Sequence, residues 1–288
     1  MKTNYIKYVL VLSLVILFSC ETDEGQTVAT LNTLVMAEEF NVDGAPNSEL
    51  WNFDMGNSIN GWGNNELQYY TDRPENVVVE NGVLIITAQQ ESFDNFQFTS
   101  ARINTRDKFE FQFGRVEARI QLPVGVGMWP AFWMLGANWE PLEGDDDPTT
   151  VAWPAPGEID IMEYRGFEPT IVHGSMHAPG FSGANALTKT FRIPNDRLDS
   201  GFHIYGIEWS PDAVNFYIDD VLYNQITRAQ AEEIEGANWV FDDEDQEFFI
   251  LLNLAVGGDF VQNPSSADII NSGALPQRML VDYIRVYQ

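Results

Sequence analysis

An all-β fold, a β-sandwich of the jelly-roll kind, is predicted by three features of the 288-residue chain. Short runs alternate apolar and polar residues with period two, turn residues separate those runs at close intervals, and "RAQAEEIEGA" (228–237) alone carries a brief helical pattern. In "NVVVENGVLIITAQQ", Asn81-Gly82 stands between two β-rich runs, the strongest short hairpin signal. "FEFQFGRVEARIQLP" (109–123) then alternates through Phe109, Phe111 and Phe113, and resumes after Gly114 with Val116, Ala118 and Ile120. Further strands are expected in "FHIYGIEWSPDAVNFYIDDVLYNQI", turning at Ser210-Pro211-Asp212 and Asp219-Asp220, then in "EFFILLNLAVGG" and finally in "LVDYIRVY". No internal repeat appears, and no Pro, Gly or Ser-rich break divides residues 31–288, so one domain is expected there.

Residues 1–20 stand apart. Lys2 and Lys7 precede an apolar run from Val9 to Phe18 that is too short for a bilayer span and suits a secretory signal. Cys20, the only cysteine, follows "LFS", which resembles the lipobox of bacterial lipoproteins, where cleavage leaves the Cys as the lipid-bearing N-terminus. "ETDEGQT" is acidic and aperiodic, so 21–30 read as a tether, and its acids resemble surface-export tags. The expected location is the cell envelope, lipid-anchored at the outer membrane. A single Cys excludes an intrachain disulfide, so the core must supply the stability.

The formal charge of −28 becomes −30 once Lys2 and Lys7 leave with the signal, because positions 1–19 carry no acids. A field of that sign repels nucleic acid, anionic membrane and heavily sulfated polysaccharide. A neutral ligand and a monomeric protein are expected.

"GEIDIMEY" (157–164) places Glu158, Asp160 and Glu163 within six positions. In a chain with 43 acids among 288 residues this spacing arises by chance roughly once, and Asp242, Glu244 and Glu247 in "DDEDQE" repeat it among polar neighbours. That second segment reads as a solvated loop. In the first, Ile159 and Ile161 alternate with Glu158 and Asp160, the mark of a strand with two unlike faces. Strict alternation would send Glu163 to the apolar face at a large desolvation cost. A β-bulge near Met162 restores the phase, and bulges are enriched beside active sites.

Competing chemistries find little support. His173 and His177 in "VHGSMHAPG" have HxxxH spacing, but the segment is β-like rather than helical, so zinc is not indicated. No G-x-S-x-G elbow, P-loop or G-x-G-x-x-G fingerprint occurs. Of the tryptophans, Trp62, Trp139, Trp153, Trp209 and Trp239 read as core, whereas Trp129, beside Pro130 in a Gly-rich stretch, suits a cleft where an indole can stack on a sugar. Paired carboxyl groups flanking a scissile bond are the equipment of glycoside hydrolysis, and a gap of about 5–5.5 Å means retention through a covalent intermediate. Asp160 lies between the two. Three like charges in one cleft cannot all ionise, so at least one stays protonated as a general acid requires.

Together with "GWGNNELQYYTD", "FGRVEARIQLP", "GMWPAFWMLG", "HGSMHAPGFSG", "IEWSPD", "NLAVGG" and "VDYIRVY", in that order over about residues 38–288, the acid strand resembles glycoside hydrolase family 16. The pattern is similar to the bacterial laminarinases, which are endo-β-1,3-glucanases, more than to lichenases, whose strand lacks the bulge, or to agarases and carrageenases. The resemblance implies a concanavalin A-like jelly roll with a concave substrate cleft, a retaining double displacement on laminarin-type or mixed-linkage β-glucan, and no catalytic cofactor. It implies Glu158 as nucleophile, Asp160 as its assistant and Glu163 as acid/base, with Asn65, Arg102, Trp129, Trp133 and His177 lining sugar subsites. It also implies a structural Ca²⁺ on the convex side, held by Asp282 and by main-chain oxygens of Glu39 and Gly82. Two alternatives stay open: the same chemistry on lichenan or an agar-type galactan, and a non-catalytic lectin-like module, since fold does not fix function. "NWEPLEGDDDPTTVAWPAP" (138–156) either shapes one end of the cleft or is surface.

Overall fold

The computed structural model describes residues 31, 33–139 and 151–288. The expected signal, Cys20, the tether and most of the long loop before the acid strand lie outside that set. Two sheets pack face to face, with strands hydrogen-bonded antiparallel except for a parallel pair between Gln68–Tyr70 and Phe96–Ser100. The inner sheet runs, in order, Leu187–Arg192, Ile171–His177, Glu158–Tyr164, Met128–Gly136, Phe248–Val256, Arg102–Asn104 and Asn52–Asp54, with Glu110–Phe111 also paired to Phe248–Val256. The outer sheet is built on Gly114–Gln121, His203–Ser210 and Gln277–Tyr287. Side chains such as Phe132, Ile159, Met176, Ile207, Phe216 and Ile284 fill the space between the sheets and are fully buried. The architecture is the jelly roll read from the sequence.

The Asn81-Gly82 hairpin forms as expected. Glu80 pairs with Val83 across a two-residue turn in which Asn81 (φ 55°) and Gly82 (φ 78°) both take the left-handed region, the geometry that matches the right-handed twist of paired strands. Two other expectations change. The alternating run 109–123 serves both sheets: Glu110–Phe111 pairs in the inner one, and the chain crosses at Phe113 (φ 61°) and Gly114 (φ 125°) before Gly114–Gln121 enters the outer one. Besides the helix Arg228–Glu232, a second helix forms at Ser266–Ser272, started by a reciprocal capping box between Ser265 and Asp268 and ended by Gly273 at φ 64°.

The acidic decoy at 242–247 forms a turn with Asp243, Glu244, Asp245 and Glu247 exposed. Gln246 is the exception. It is buried, and its amide donates to Asn138 Oδ1 (3.0 Å) and Pro156 O (3.3 Å), which ties this turn to the chain entering the acid strand.

Candidate active site

The acid strand Glu158–Tyr164 lies in the middle of the inner sheet, and its register shows how three carboxylates reach one face. Against Met128–Gly136, Glu158 pairs with Leu135, Asp160 with Trp133 and Glu163 with Ala131; against Ile171–His177, the same acids pair with His177, Ser175 and His173. Partners two residues apart share a face, so the acids share one too. The extra residue lies at Ile161–Met162, where two residues oppose Gly174 alone. Ile161 and Met162 are both buried in the core, and the bulge stands where the alternation required it.

Two rows of side chains cross the concave face. One runs Asp54, Arg102, Asn253, Ala131, Glu163, His173; the other runs Asn104, Leu251, Trp133, Asp160, Ser175, Thr188. Ala131, the small residue beside Glu163, leaves room over the acids. The cleft above these rows has a volume of about 770 Å³, and its lining reaches from Trp62 and Arg102 to Thr188 on the edge strand.

Each outer acid holds one indole N–H. Trp129 Nε1 donates to Glu163 Oε1 (3.0 Å), and Trp153 Nε1 donates to Glu158 Oε2 (3.1 Å). His177 Nε2 lies 3.0 Å from Asp160 Oδ2 and 3.7 Å from Glu158 Oε1, while its Nδ1 accepts the Gly183 N–H (3.1 Å). That last bond needs the Nδ1 lone pair and fixes the neutral ring's proton on Nε2, facing Asp160. The ligand atoms of Glu158, Asp160 and His177 lie within 4.8 Å of one another, close enough for a metal. With Nδ1 taken by Gly183 and Nε2 protonated toward Asp160, however, the imidazole has no free lone pair to offer an ion there.

Burial, and then the neighbouring Asp160 charge, push Glu158 up to about 7 and Glu163 up to about 8. Burial opposes a charge on His177 and the neighbouring Glu158 and Asp160 favour it, but the Gly183 N–H on Nδ1 can be accepted only by the neutral ring. Buried His173 is held down at about 4 by desolvation and by Arg165 and is neutral near pH 7. Glu158 and Glu163, both raised by burial, are not both ionised near neutrality, so a proton remains on the pair. Activity should follow a narrow bell with its top between about pH 7 and 8: the acidic limb falls as the last carboxylate needed for attack is protonated, the basic limb as the remaining proton is lost. A pH series of kcat/KM checks this. A plateau down to pH 4 would contradict it.

Of the residues expected to bind sugar, Arg102, Trp129, Trp133 and His177 line the cleft. The Arg102 guanidinium lies 4.5 Å from the Trp62 ring and 4.9 Å from the Trp133 ring, with its Nε 2.7 Å from Asp54 Oδ2. Trp133 Nε1 donates to Asn253 Oδ1 (2.8 Å), Asn253 donates to Tyr70 Oη (3.1 Å), and Tyr70 donates to buried Glu66 (3.1 Å). Asn65 departs from its expected place. In the left-handed region (φ 58°), it directs its amide to Asp259 (3.1 Å), and its neighbour Asn64 lines the cleft instead.

Only Trp209 and Trp239 of the five tryptophans read as core are buried in it; Trp62, Trp139 and Trp153 face the cleft. Phe260, stacked on Trp129 at 5.0 Å, and Asn253 also belong to the cleft and were not singled out from the sequence. Asn253 did carry a signal, as the one polar side chain within "FFILLNLAV". For Glu66 and Phe260 no local pattern exists.

On the convex side, strand pairing gives the positions along the sheet edge of the residues that the resemblance implies for calcium. Val281 pairs with Leu84 at one end of that edge and Ile284 with Glu38 at the other, so Asp282 lies where the Gly82 turn gives way to Glu39; it is also skipped in the pairing with Gly114–Gln121. Its Oδ2 takes Arg119 at 2.6 Å, and the Glu39 carboxylate takes Arg285, which leaves main-chain oxygens and Asp282 Oδ1 as donors. Those hard oxygens suit Ca²⁺ completed by water.

The chain is 40% identical over 262 residues to a β-glucanase of Rhodothermus marinus, covering 88% of this chain and 85% of that protein. Among solved structures it is similar to the endo-β-1,3-glucanase of Pyrococcus furiosus (TM-score 0.77, 42% identity, 88% of this chain and 94% of that one). It is also similar to the laminarinase of Flavobacterium sp. UMI-01 (TM-score 0.74, 42% identity, 89% of this chain and all of that one). Residues 64–254 match the model of Glycosyl hydrolases family 16. With the acids, the bulge and the cleft in place, the chain belongs to that family of retaining glycoside hydrolases.

Proposed function

We propose that this protein is an endo-β-1,3-glucanase that cleaves laminarin-type, and also mixed-linkage, β-glucan. The carrying observation is the bulged strand that sets Glu158 and Glu163 on the floor of a cleft crossing the inner sheet, where a polymer can pass from edge to edge. Indole faces at Trp62, Trp129, Trp133 and Trp139 suit neutral sugar rings, and the relatives named above act on β-glucan. Glu158 attacks the anomeric carbon, the role the resemblance implies; Glu163, kept protonated by burial, gives its proton to the departing glycosidic oxygen and then removes one from the water that releases the sugar. Asp160, between them and 3.0 Å from His177, assists by raising both neighbours. Reducing-end release by the purified protein from laminarin, lichenan, agarose and carrageenan tests the reading. Laminarin should be cut fastest; cleavage of a galactan alone, or tight glucan binding without turnover, would overturn it.

Two further proposals concern the rest of the chain. Ca²⁺ bound by Asp282 and the Glu39 and Gly82 carbonyls would tie three segments of the outer sheet together, so chelation should lower Tm by several degrees without altering kcat on folded enzyme. Lipidation at Cys20 would hold the domain at the outer membrane. A Cys20→Ala variant should then lose incorporation of labelled fatty acid and leave the membrane fraction.

A further inference from the structure

The indole of Trp153 reaches the active site from an unexpected direction. It stands five residues before Glu158, outside any strand, in the turn "WPAPG" at the end of the 138–156 segment, where the indole itself read as core. That turn is well fastened. Gly157 N donates to Pro154 O (3.1 Å), Gly136 N donates to Gly157 O (3.1 Å), and the Gln246 amide donates to Pro156 O (3.3 Å). Gly157 takes φ 81°, and a Cβ there would come within 2.7 Å of Val240 Cγ2, so the turn also packs against the core. The result is an indole whose N–H meets Glu158 Oε2 at 3.1 Å while the residue remains 41% exposed, its ring centre 5.7 Å from that of His177.

The two Glu158 oxygens are therefore unequal. Oε2 accepts the Trp153 N–H, whereas among the described residues Oε1 accepts no such donor and faces the His177 edge at 3.7 Å. A donor on one oxygen favours the charged carboxylate and fixes its rotation without using the lone pairs of the other.

We propose that Trp153 is a positioning residue for Glu158, holding it ionised and turned so that Oε1 is the attacking oxygen. The inference rests on the reading of Glu158 as nucleophile. It assigns a role to the end of the 138–156 segment: the turn delivers a hydrogen-bond donor to the nucleophile and an open aromatic face to the cleft wall. Burial drives Glu158 toward protonation, and the Trp153 N–H opposes that drive. Trp129 makes the matching contact to Glu163, but from a strand inside the sheet.

The test separates the N–H from the ring. Trp153→Phe keeps an aromatic face and removes the donor, so the acidic limb of kcat/KM should move to higher pH. Turnover should fall about tenfold near pH 5 against about twofold near pH 8, since each unit by which the carboxyl is raised costs tenfold below its pKa. KM should change less than twofold. Trp153→Ala should repeat the pH effect and also raise KM severalfold as the exposed face is lost. A merely structural contact would lower activity equally at all pH values, so a Trp153→Phe profile parallel to wild type overturns the inference. If the wild-type protein releases no reducing ends from any glucan, the reading of the site fails first and takes the inference with it.

Discussion

Glu158→Ala should lower turnover of laminarin by about 10⁴-fold or more, and added azide should restore part of it with formation of an α-glycosyl azide. The expectation follows from the face of the sugar that each acid addresses. Removing the nucleophile opens the face opposite the leaving group, and a small anion entering there attacks once and inverts the anomeric carbon. Glu163→Ala should instead leave the covalent step intact for substrates with good leaving groups, and azide should intercept the glycosyl-enzyme from the face of the lost acid to give the β-azide. The loss should be smaller, about 10²- to 10⁴-fold, because proton transfer is what is missing. NMR of the two azide products checks both assignments at once. Identical products from the two variants would mean that the acids are not divided as Glu158 and Glu163.

Gly174 should tolerate no side chain, and the reason lies in the bulge. Ile161 and Met162 both point into the core where regular alternation would send one, and the single residue facing them contributes no side chain. A Cβ on Gly174 would collide with the Tyr223 hydroxyl and come within 2.8 Å of Phe216 Cδ1. Gly174→Ala is therefore expected to cost about 1–3 kcal/mol in denaturant unfolding, and Gly174→Val more, as in other overpacked cores. Met162→Ala alone should cost about 2–5 kcal/mol through its cavity. Combined with Tyr223→Phe, which removes the hydroxyl that the new methyl would meet, Gly174→Ala should cost at least about 1 kcal/mol less than the sum of the two single changes. In folded Gly174→Ala protein, a displacement of Glu163 by about 1 Å should lower kcat roughly 100-fold. Additivity of Gly174→Ala and Tyr223→Phe would show that the Tyr223 hydroxyl is not what excludes a side chain at Gly174.

Much of this arrangement is legible in the chain itself, and the boundary of what is legible has a physical cause. "GEIDIMEY" gives the strand, its two faces and the need for an inserted residue, because putting a carboxylate on the apolar face is too costly for the alternation to continue unbroken. Asn81-Gly82 gives its hairpin for an equally local reason, the left-handed conformation of both turn residues. Trp153, Phe260 and Asn64 escape such reading because they stand in turns without periodicity, and only the packing of those turns against the sheet decides where they point. The same holds for Asn65, whose left-handed backbone sends the amide to Asp259. The helix at Ser266–Ser272 was legible in part: Ser265 and Asp268 form its capping box, but one short helix among many strands leaves little amphipathic pattern to support it.

The assignment of Glu158 as nucleophile is tested most directly by trapping the intermediate. The protein would be incubated with a 2-deoxy-2-fluoro laminaribiosyl donor bearing a good leaving group, digested, and its labelled peptide sequenced by mass spectrometry. The sugar is expected on Glu158, in the peptide containing "GEIDIMEY". A label on Asp160 or Glu163, or inactivation without any covalent sugar, would contradict the assignment.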